Sequence, residues 1–480
     1  MQTMPTATAA QRAALIEQLR ADLGADAVLT GDAVHGRSAG IWRKDTIAAA
    51  AIVRPRSTEE VSTVLKACHA IGQPVVTHGG LTGLVKGALT GPDDLVLSLE
   101  RMDQIEAIHP LDRTAIVQAG VPLQTLQEAA DEQSLLYPLD LGARGSCTVG
   151  GNIATNAGGN RVIRYGMTRD MVLGLEAVLA DGTIVSSMNQ MIKNNAGYDL
   201  KQLFIGTEGS LGIVTRAVLR LREKPTGQST LFAALSSFED LARFLKHIDA
   251  ALSGTLSAFE VMWQNFYRLV TTAPAQGQPP LSQDYPYYVL VEALGASDAQ
   301  VEAALADALE SGLIADAVLA QSEAQRIALW SLRDDVEQCF QYAPTFTFDV
   351  SLRVSDMQAY VDEVNARLAA AYEQPRNFTF GHMGDGNLHF VVAVGQGGPK
   401  HRAAVERCVY EPLAAIGGSV SAEHGVGLEK KPYLSLSRNP AELALMAALK
   451  RALDPQGLLN PGKIFDSQPA TAASRGSDAA

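Results

Sequence analysis

The sequence predicts an α+β protein in two parts, and three observations carry that reading. Between about 50 and 225, short β-rich runs ("AIVRP", "PVVTHGG", "LVLSLE", "TAIVQAG", "LGLEAVLADGTIV", "LGIVTRAVLRL") alternate with helical or glycine-rich stretches. Between about 230 and 440 the helical segments lengthen ("FEDLARFLKHIDAAL", "SDAQVEAALADALESGL", "SDMQAYVDEVNARLAAAYE") and separate strands such as "YYVLVEAL" and "TFTFDVSLRV". That pattern suits helices laid on one face of an antiparallel sheet. Between the two regions "REKPTGQST" is a polar breaker, so the parts are expected at 1–225 and 226–439.

The ends follow from the same logic. "MQTMPTATAAQRAALIEQLRADLG" reads as an amphipathic helix, without the basic and continuous apolar regions of a signal peptide. Residues 440–453 read as a helix stopped by "DPQGLLNPGKIF". The tail 468–480 has almost nothing to bury and is expected to be disordered.

At 480 residues the chain can build two or three cores. A net charge of −13 and a pI near 5.2 argue against nucleic acid or an anionic membrane as partner, since either prefers a basic face. Cys68, Cys147, Cys339 and Cys408 form no CxxC pair, which points away from a disulfide framework and towards a reducing compartment. No apolar run reaches the roughly 18 residues that span a bilayer, and the cytoplasm is the expected location.

"GHMGDGNLHF" (381–390) is too rich in glycine for a helix and carries Asp-Gly, a strong hairpin signal. With Asp385-Gly386 as a two-residue turn, His382 falls directly opposite His389, close enough for both imidazoles to bind one divalent ion. A structural hairpin with two incidental histidines remains open at this point. "HGGLTG" (78–83), "GSCTVGGNIATNAGG" (145–159) and "GTEGSLGIVT" (206–215) are three glycine-rich loops, and bare Cα atoms let backbone N–H groups approach an anion. Their spacing is neither GxGxxG nor GxxxxGK[ST], but one long dianionic ligand such as a dinucleotide would engage all three.

"GGLTG", "DLGARGSCTVGGNIATNAGG", "RYGMTRDMVLGLEAVLADG", "NNAGYDLKQLFIGTEGSLGIVT", "GHMGDGNLHF", "SAEHGVG" and "LNPGKIF", in this order from about 50 to 466, resemble the FAD-dependent D-2-hydroxy-acid dehydrogenases of the vanillyl-alcohol-oxidase-like superfamily. The resemblance implies a two-part FAD-binding domain from 1–225 with a C-terminal segment (440–467) returning to it, and a substrate cap between them. It implies FAD held at Gly79, Gly80, Thr82, Gly83, Gly145, Ser146, Gly151, Asn152, Thr155, Gly158, Glu208, Gly209, Ile213 and Asn460. His78 precedes the glycine pair where this subgroup has a non-attaching polar residue, so the FAD is expected to be non-covalent.

The resemblance also makes His382, His389 and Glu423 ligands of a divalent metal and His424 the general base. Two histidines and a carboxylate with open positions suit catalytic zinc, with Fe(II) and Mn(II) chemically possible. Oxidation of a 2-hydroxy acid sends a hydride to flavin N5 and a proton to a base, and an imidazole with a reference pKa near 6.5 suits the second task. Arg333 matches the arginine that grips the substrate carboxylate, although Glu337 four residues on would also explain it as a helix-surface ion pair. Asn387, inside the hairpin, joins the substrate-binding set by its place in the motif.

Two departures matter. Members acting on D-2-hydroxyglutarate carry threonine at the position of Glu337 and lysine at that of Thr347, both serving the distal carboxylate. One cation is gone and one anion added, which favours a D-lactate-like substrate, with D-2-hydroxyglutarate or D-malate as the alternative. A non-redox flavin-dependent transferase of the same superfamily and a flavin-free metallohydrolase are the rivals from other classes. The electron acceptor (an electron-transfer flavoprotein, a quinone or a cytochrome) and the oligomeric state, a homodimer included, stay open.

Overall fold

A computed structural model describes residues 7–466; the tail 468–480 lies outside the described residues. The first part holds two sheets. In a four-stranded sheet, Val28–Leu29, Ala51–Val53, Leu95–Ser98 and β1 (Val75–His78) lie in that order, the last three mutually parallel. Ala51–Val53 and Leu95–Ser98 are buried throughout, as strands covered on both faces must be. A five-stranded antiparallel sheet lies beside it. A short helix, α1 (Val149–Thr155), is capped by Thr148 Oγ1, which accepts from Gly151 N at 3.3 Å. The central strand of the five is β2 (Ile213–Arg220).

The second part is one seven-stranded antiparallel sheet and its helices. In chain order these are β3 (Gln228–Leu235), α2 (Phe238–Leu252), β4 (Leu256–Trp263), α3 (Gln264–Val270), β5 (Tyr287–Leu294), α4 (Asp298–Glu310), β6 (Asp316–Leu319), α5 (Glu323–Asp334), β7 (Thr345–Ser351), α6 (Met357–Ala371), β8 (Arg376–His382), β9 (Asn387–Ala393) and α7 (Pro399–Tyr410). The spatial order is β6-β3-β5-β4-β8-β9-β7. One face buries Phe259, Val261, Val289, Phe348, Leu388 and Phe390 under α2, α4, α6 and α7, through Phe244, Val301, Val364 and Val409.

The opposite face departs from a sheet covered on one side only. Phe266 and Val270 of α3 with Leu329, Trp330 and Leu332 of α5 cover Phe232, Met262, Phe378, Phe380 and Val391. The rest of that face is polar and meets the first part, where Arg161 Nε bonds Glu292 Oε1 at 3.3 Å and Arg164 reaches the Thr255 carbonyl. Alternation along each strand separates the two faces: Phe346, Phe348 and Val350 enter the helix-covered core while Thr347 and Asp349 point the other way.

The last helix, α8 (Pro440–Leu453), starts at a capping box of Asn439 and Glu442. Lys450, buried in its final turn, donates to the carbonyls of Ser210 and Leu459 at 2.7 and 2.8 Å. Val75 N donates to Leu458 O and Asn460 N to Val75 O, both at 2.9 Å, so the segment after α8 runs beside β1.

Candidate active site

The hairpin of "GHMGDGNLHF" is present with a different register. Phe380, not His382, lies opposite His389, because Met383–Asp385 form a 3₁₀ turn closed by Gly386 at φ 88°. The expected two-residue turn is thus corrected to a four-residue one. The slip is by two residues, so the period-two alternation keeps both histidines on one face as diagonal neighbours, with ring centroids 5.1 Å apart. On the other side β8 pairs with β4, where Glu260 is the partner of His382.

Glu423 comes from the irregular loop 419–427. Its Oε1 lies 3.7 Å from His382 Nε2 and accepts Gly159 N–H at 2.8 Å. Gly159 is glycine for a reason: a Cβ there would stand 2.1 Å from the Asp140 carbonyl. One ligand atom from each of His382, His389 and Glu423 lies within 4.8 Å of the other two, which suits one small cation. Burial opposes charge on His382, but Glu260 and Glu423 outweigh it and lift the imidazole to about 9. Burial, with His382 and Arg333 nearby, pushes His389 well below its ordinary value. The pair therefore welcomes one positive centre, not two.

Arg333 closes the last turn of α5 and is 5% exposed. It makes no surface pair with Glu337, which is exposed on the following 3₁₀ turn. Its Nε bonds Glu260 Oε2 at 2.8 Å and its guanidinium lies over the Phe380 ring, 4.9 Å from the centroid. Among the described residues no acceptor meets its two Nη groups, which stay available for a second carboxylate. Glu260 Oε1 takes His382 Nδ1–H at 2.7 Å. Burial would raise the Glu260 carboxyl, and His382 with Arg333 more than reverse that.

His424 follows Glu423, with Nδ1 2.8 Å from Asp349 Oδ1 and its ring stacked 6.2 Å from that of His389. Asp349 is fully buried on β7 and held well below the ordinary carboxylate range, because His424 and Lys430 outweigh the cost of burial. Asn387 is 3% exposed, and neither atom of its side-chain amide has a partner among the described residues. Thr347 is exposed on the same sheet face as Asp349.

Sequence reasoning missed Glu260, Asp349 and Lys430. The available signal for the first two was a lone carboxylate inside each of two otherwise uncharged strands, "LSAFEVMW" and "TFTFDVS"; Lys430 had none.

The glycine loops converge at the carboxyl end of β1. Gly79, Gly80, Thr82 and Gly83 follow it directly; Gly145 and Ser146 precede α1, Gly151, Asn152 and Thr155 lie in it, and Gly158 follows. Gly80 touches the neighbouring loop so closely that a Cβ would sit 1.9 Å from the Ser146 carbonyl. Thr77 Oγ1 and Asn152 Nδ2 are buried there without partners among the described residues, which suits a polar ligand such as FAD. Gly209 and Ile213 lead into β2.

Asn460 Oδ1 accepts Thr77 N–H at 2.9 Å and its amide donates to the Glu208 carbonyl. The Glu208 carboxylate accepts Val426 and Gly427 N–H at 2.6 and 2.9 Å, so it grips the loop 419–427 that carries Glu423 and His424. His78 is 3% exposed and its Nε2–H donates to the Ala88 carbonyl at 2.9 Å. A cleft of about 670 Å³ opens at the junction, lined by Asp140, Arg144, Arg161, Glu292, Trp330 and Asp334.

Residues 224–464 match the family described as FAD linked oxidases, C-terminal domain, and residues 49–187 the FAD binding domain family. The chain is 42% identical over 436 residues to a D-2-hydroxyglutarate dehydrogenase of Xanthomonas citri pv. viticola, covering 88% of this chain and 90% of that protein. It is 37% identical to a D-2-hydroxyglutarate dehydrogenase of Stutzerimonas stutzeri (94% and 99% covered). A putative mitochondrial D-lactate dehydrogenase of Schizosaccharomyces pombe is also 37% identical (86% and 81% covered). The fold is similar to that of p-cresol methylhydroxylase, with TM-score 0.76 at 19% identity and 96% and 98% covered. It is likewise similar to an alkyldihydroxyacetonephosphate synthase, with TM-score 0.73 at 16% identity and 94% and 84% covered. With flavin-domain and cap families both matched and relatives aligned over nearly their whole length, the chain belongs to the FAD-dependent D-2-hydroxy-acid dehydrogenases of the FAD-linked oxidase family.

Proposed function

We propose that this protein oxidises a D-2-hydroxy acid to the 2-oxo acid, using non-covalent FAD and a divalent metal, zinc foremost. The observation that carries the reading is one polar patch of the cap sheet. It joins an arginine with both Nη groups uncommitted, the His382/His389/Glu423 set and the His424 imidazole. The names of the relatives support the same substrate class.

FAD at the glycine loops supplies the hydride acceptor, and a metal at His382, His389 and Glu423 supplies a Lewis acid for the substrate hydroxyl. Arg333 grips the substrate carboxylate through its two Nη groups while Glu260 fixes the guanidinium plane. His424 accepts the hydroxyl proton at Nε2, the nitrogen not committed to Asp349. Asn387 offers an amide to the substrate from the floor of the site. Reoxidation falls to a separate acceptor, an electron-transfer flavoprotein, a quinone or a cytochrome.

For the side chain we favour a short or uncharged group, as in D-lactate. The arginines of the neighbouring cleft already have carboxylates: Arg161 has Glu292 at 3.3 Å and Asp140 at 3.8 Å, and Arg144 has Asp140 at 3.3 Å. With Arg326 likewise held by Glu323, a distal carboxylate would meet no uncommitted arginine among the described residues lining the cleft, and an unpaired charge buried there would cost several kcal/mol. D-2-hydroxyglutarate is the second reading, supported by the name of the 42% identical relative.

Anaerobic mixing of the yellow protein with a panel of D-2-hydroxy acids should bleach the flavin. A yellow protein that no hydroxy acid bleaches would leave the transferase reading ahead, and a colourless active one the metallohydrolase.

A further inference from the structure

Asp349 sits at the middle of β7, directly opposite His389, at 0% exposure. Its two oxygens divide their work. Oδ2 accepts three consecutive backbone N–H groups, from Ala422, Glu423 and His424, at 3.0, 2.9 and 3.2 Å. Oδ1 meets His424 Nδ1 at 2.8 Å and the ammonium of Lys430, itself 4% exposed and also 3.2 Å from Ser421 Oγ. Five donors fill the roughly four lone-pair sites of one carboxylate, so it has no capacity left to relay a proton. A side chain with its proton capacity used up and its geometry fixed from both ends holds other groups in place.

We propose that Asp349 is the positioning residue for proton transfer: it fixes His424 as the Nδ1–H tautomer with the Nε2 lone pair towards the substrate hydroxyl. The same carboxylate seats the Glu423 and His424 backbone, so the metal-ligating carboxylate and the base move as one rigid unit. This rests on reading His424 as the base. In the step itself the substrate O–H bond breaks and its proton moves to His424 Nε2. The Cα–H pair leaves as hydride, which FAD held at the glycine loops would accept, the C=O bond forms, and Asp349 neither gains nor loses a proton. Lys430 balances the buried carboxylate without touching the imidazole, since its ammonium bonds Asp349 and Ser421. Without the Asp349 acceptor the ring is free to adopt the other tautomer, whose Nε2 carries a hydrogen and cannot take another.

The test measures flavin reduction by stopped flow in holoenzyme whose FAD and metal contents are verified. Asp349→Asn should slow reduction by about 10²–10⁴-fold with substrate KM changed less than about threefold. In a His424→Ala background the same substitution should cost nothing further, because the asparagine amide oxygen still accepts the three backbone N–H groups of 422–424 and the imidazole it would act through is gone. A purely structural role predicts the reverse, with losses that multiply and fall on KM or metal content. Should Asp349→Asn fail to fold, heteronuclear NMR of the intact protein with isotopically labelled histidine rings reads the His424 tautomer directly. His424 should carry its hydrogen on Nδ1 with the lone pair on Nε2, and a ring protonated on Nε2 would overturn the proposal. If His424→Ala itself reduces flavin at the wild-type rate, the base reading and the proposal fall together.

Discussion

His382 Nδ1–H donates to Glu260 Oε1 at 2.7 Å, at a point where Glu260 is 0% exposed. That bond leaves Nε2 of His382 as the nitrogen open to the proposed metal and ties the ring, through the other oxygen of Glu260, to Arg333. Chelation should abolish turnover while FAD stays bound, and Glu260→Gln should weaken metal affinity by about 10–100-fold. Glu260→Ala, which strands Arg333 without its partner, should also cost about 3–5 kcal/mol of stability. Metal titration and calorimetry check both; an active protein with far less than one metal per chain would make the hairpin histidines structural.

His424→Ala should lower kcat by about 10²–10⁴-fold with a modest change in substrate binding. Steady-state kinetics on one good substrate decide it, since a loss confined to KM would make His424 a binding residue.

Burial pushes the His78 imidazole down to about 4, from a reference near 6.5. Between those values the unfolded chain binds the proton and the native state does not. The stabilising contribution is therefore full above pH 6.5, declines as pH falls towards 4, and totals about 3 kcal/mol. Chemical denaturation across that window should show the slope, and His78→Asn should flatten it; an unchanged slope in the variant would place the sensitivity elsewhere.

The His78 ring is turned to the Ala88 carbonyl, which suits the proposed non-covalent FAD. Acid precipitation should leave the yellow colour in the supernatant. Colour that stays with the pellet until His78 is replaced by alanine would reverse this assignment.

D-lactate should exceed D-malate and D-2-hydroxyglutarate in kcat/KM, compared side by side with a dye acceptor. Glu337→Thr with Thr347→Lys should then shift preference towards the diacid. A clear preference of the unaltered enzyme for D-2-hydroxyglutarate would establish the second reading.

The hairpin, the glycine loops and the two-part α+β plan were legible because each rests on local chemistry: turn residues, bare Cα atoms and hydrophobic period. The hairpin register was not, because Asp385-Gly386 signals a turn without fixing its length, and the 3₁₀ residues Met383–Asp385 added two positions. Even so, a shift of two kept the two histidines on one face. Glu260 and Asp349 stayed hidden because their partners, 122 and 75 residues away in the chain, meet them only through sheet pairing and loop closure. Nothing in "SLRDDVEQ" tells whether Arg333 faces Glu337 or the sheet; packing of α5 against Phe380 decides it.

The Glu208 clasp has a bearing on how the protein is made. Its carboxylate holds Val426 and Gly427, and its carbonyl is held by Asn460, which in turn holds Thr77. β1, the loop 419–427 and the segment after α8 thus meet at one residue, Glu208. In a nascent polypeptide this link can close only after the segment following α8 has left the ribosome. A polypeptide cut before Asn460 would keep the Asp349 and Glu208 carboxylate bonds to the loop 419–427 and lose the tie between that loop's anchor and β1.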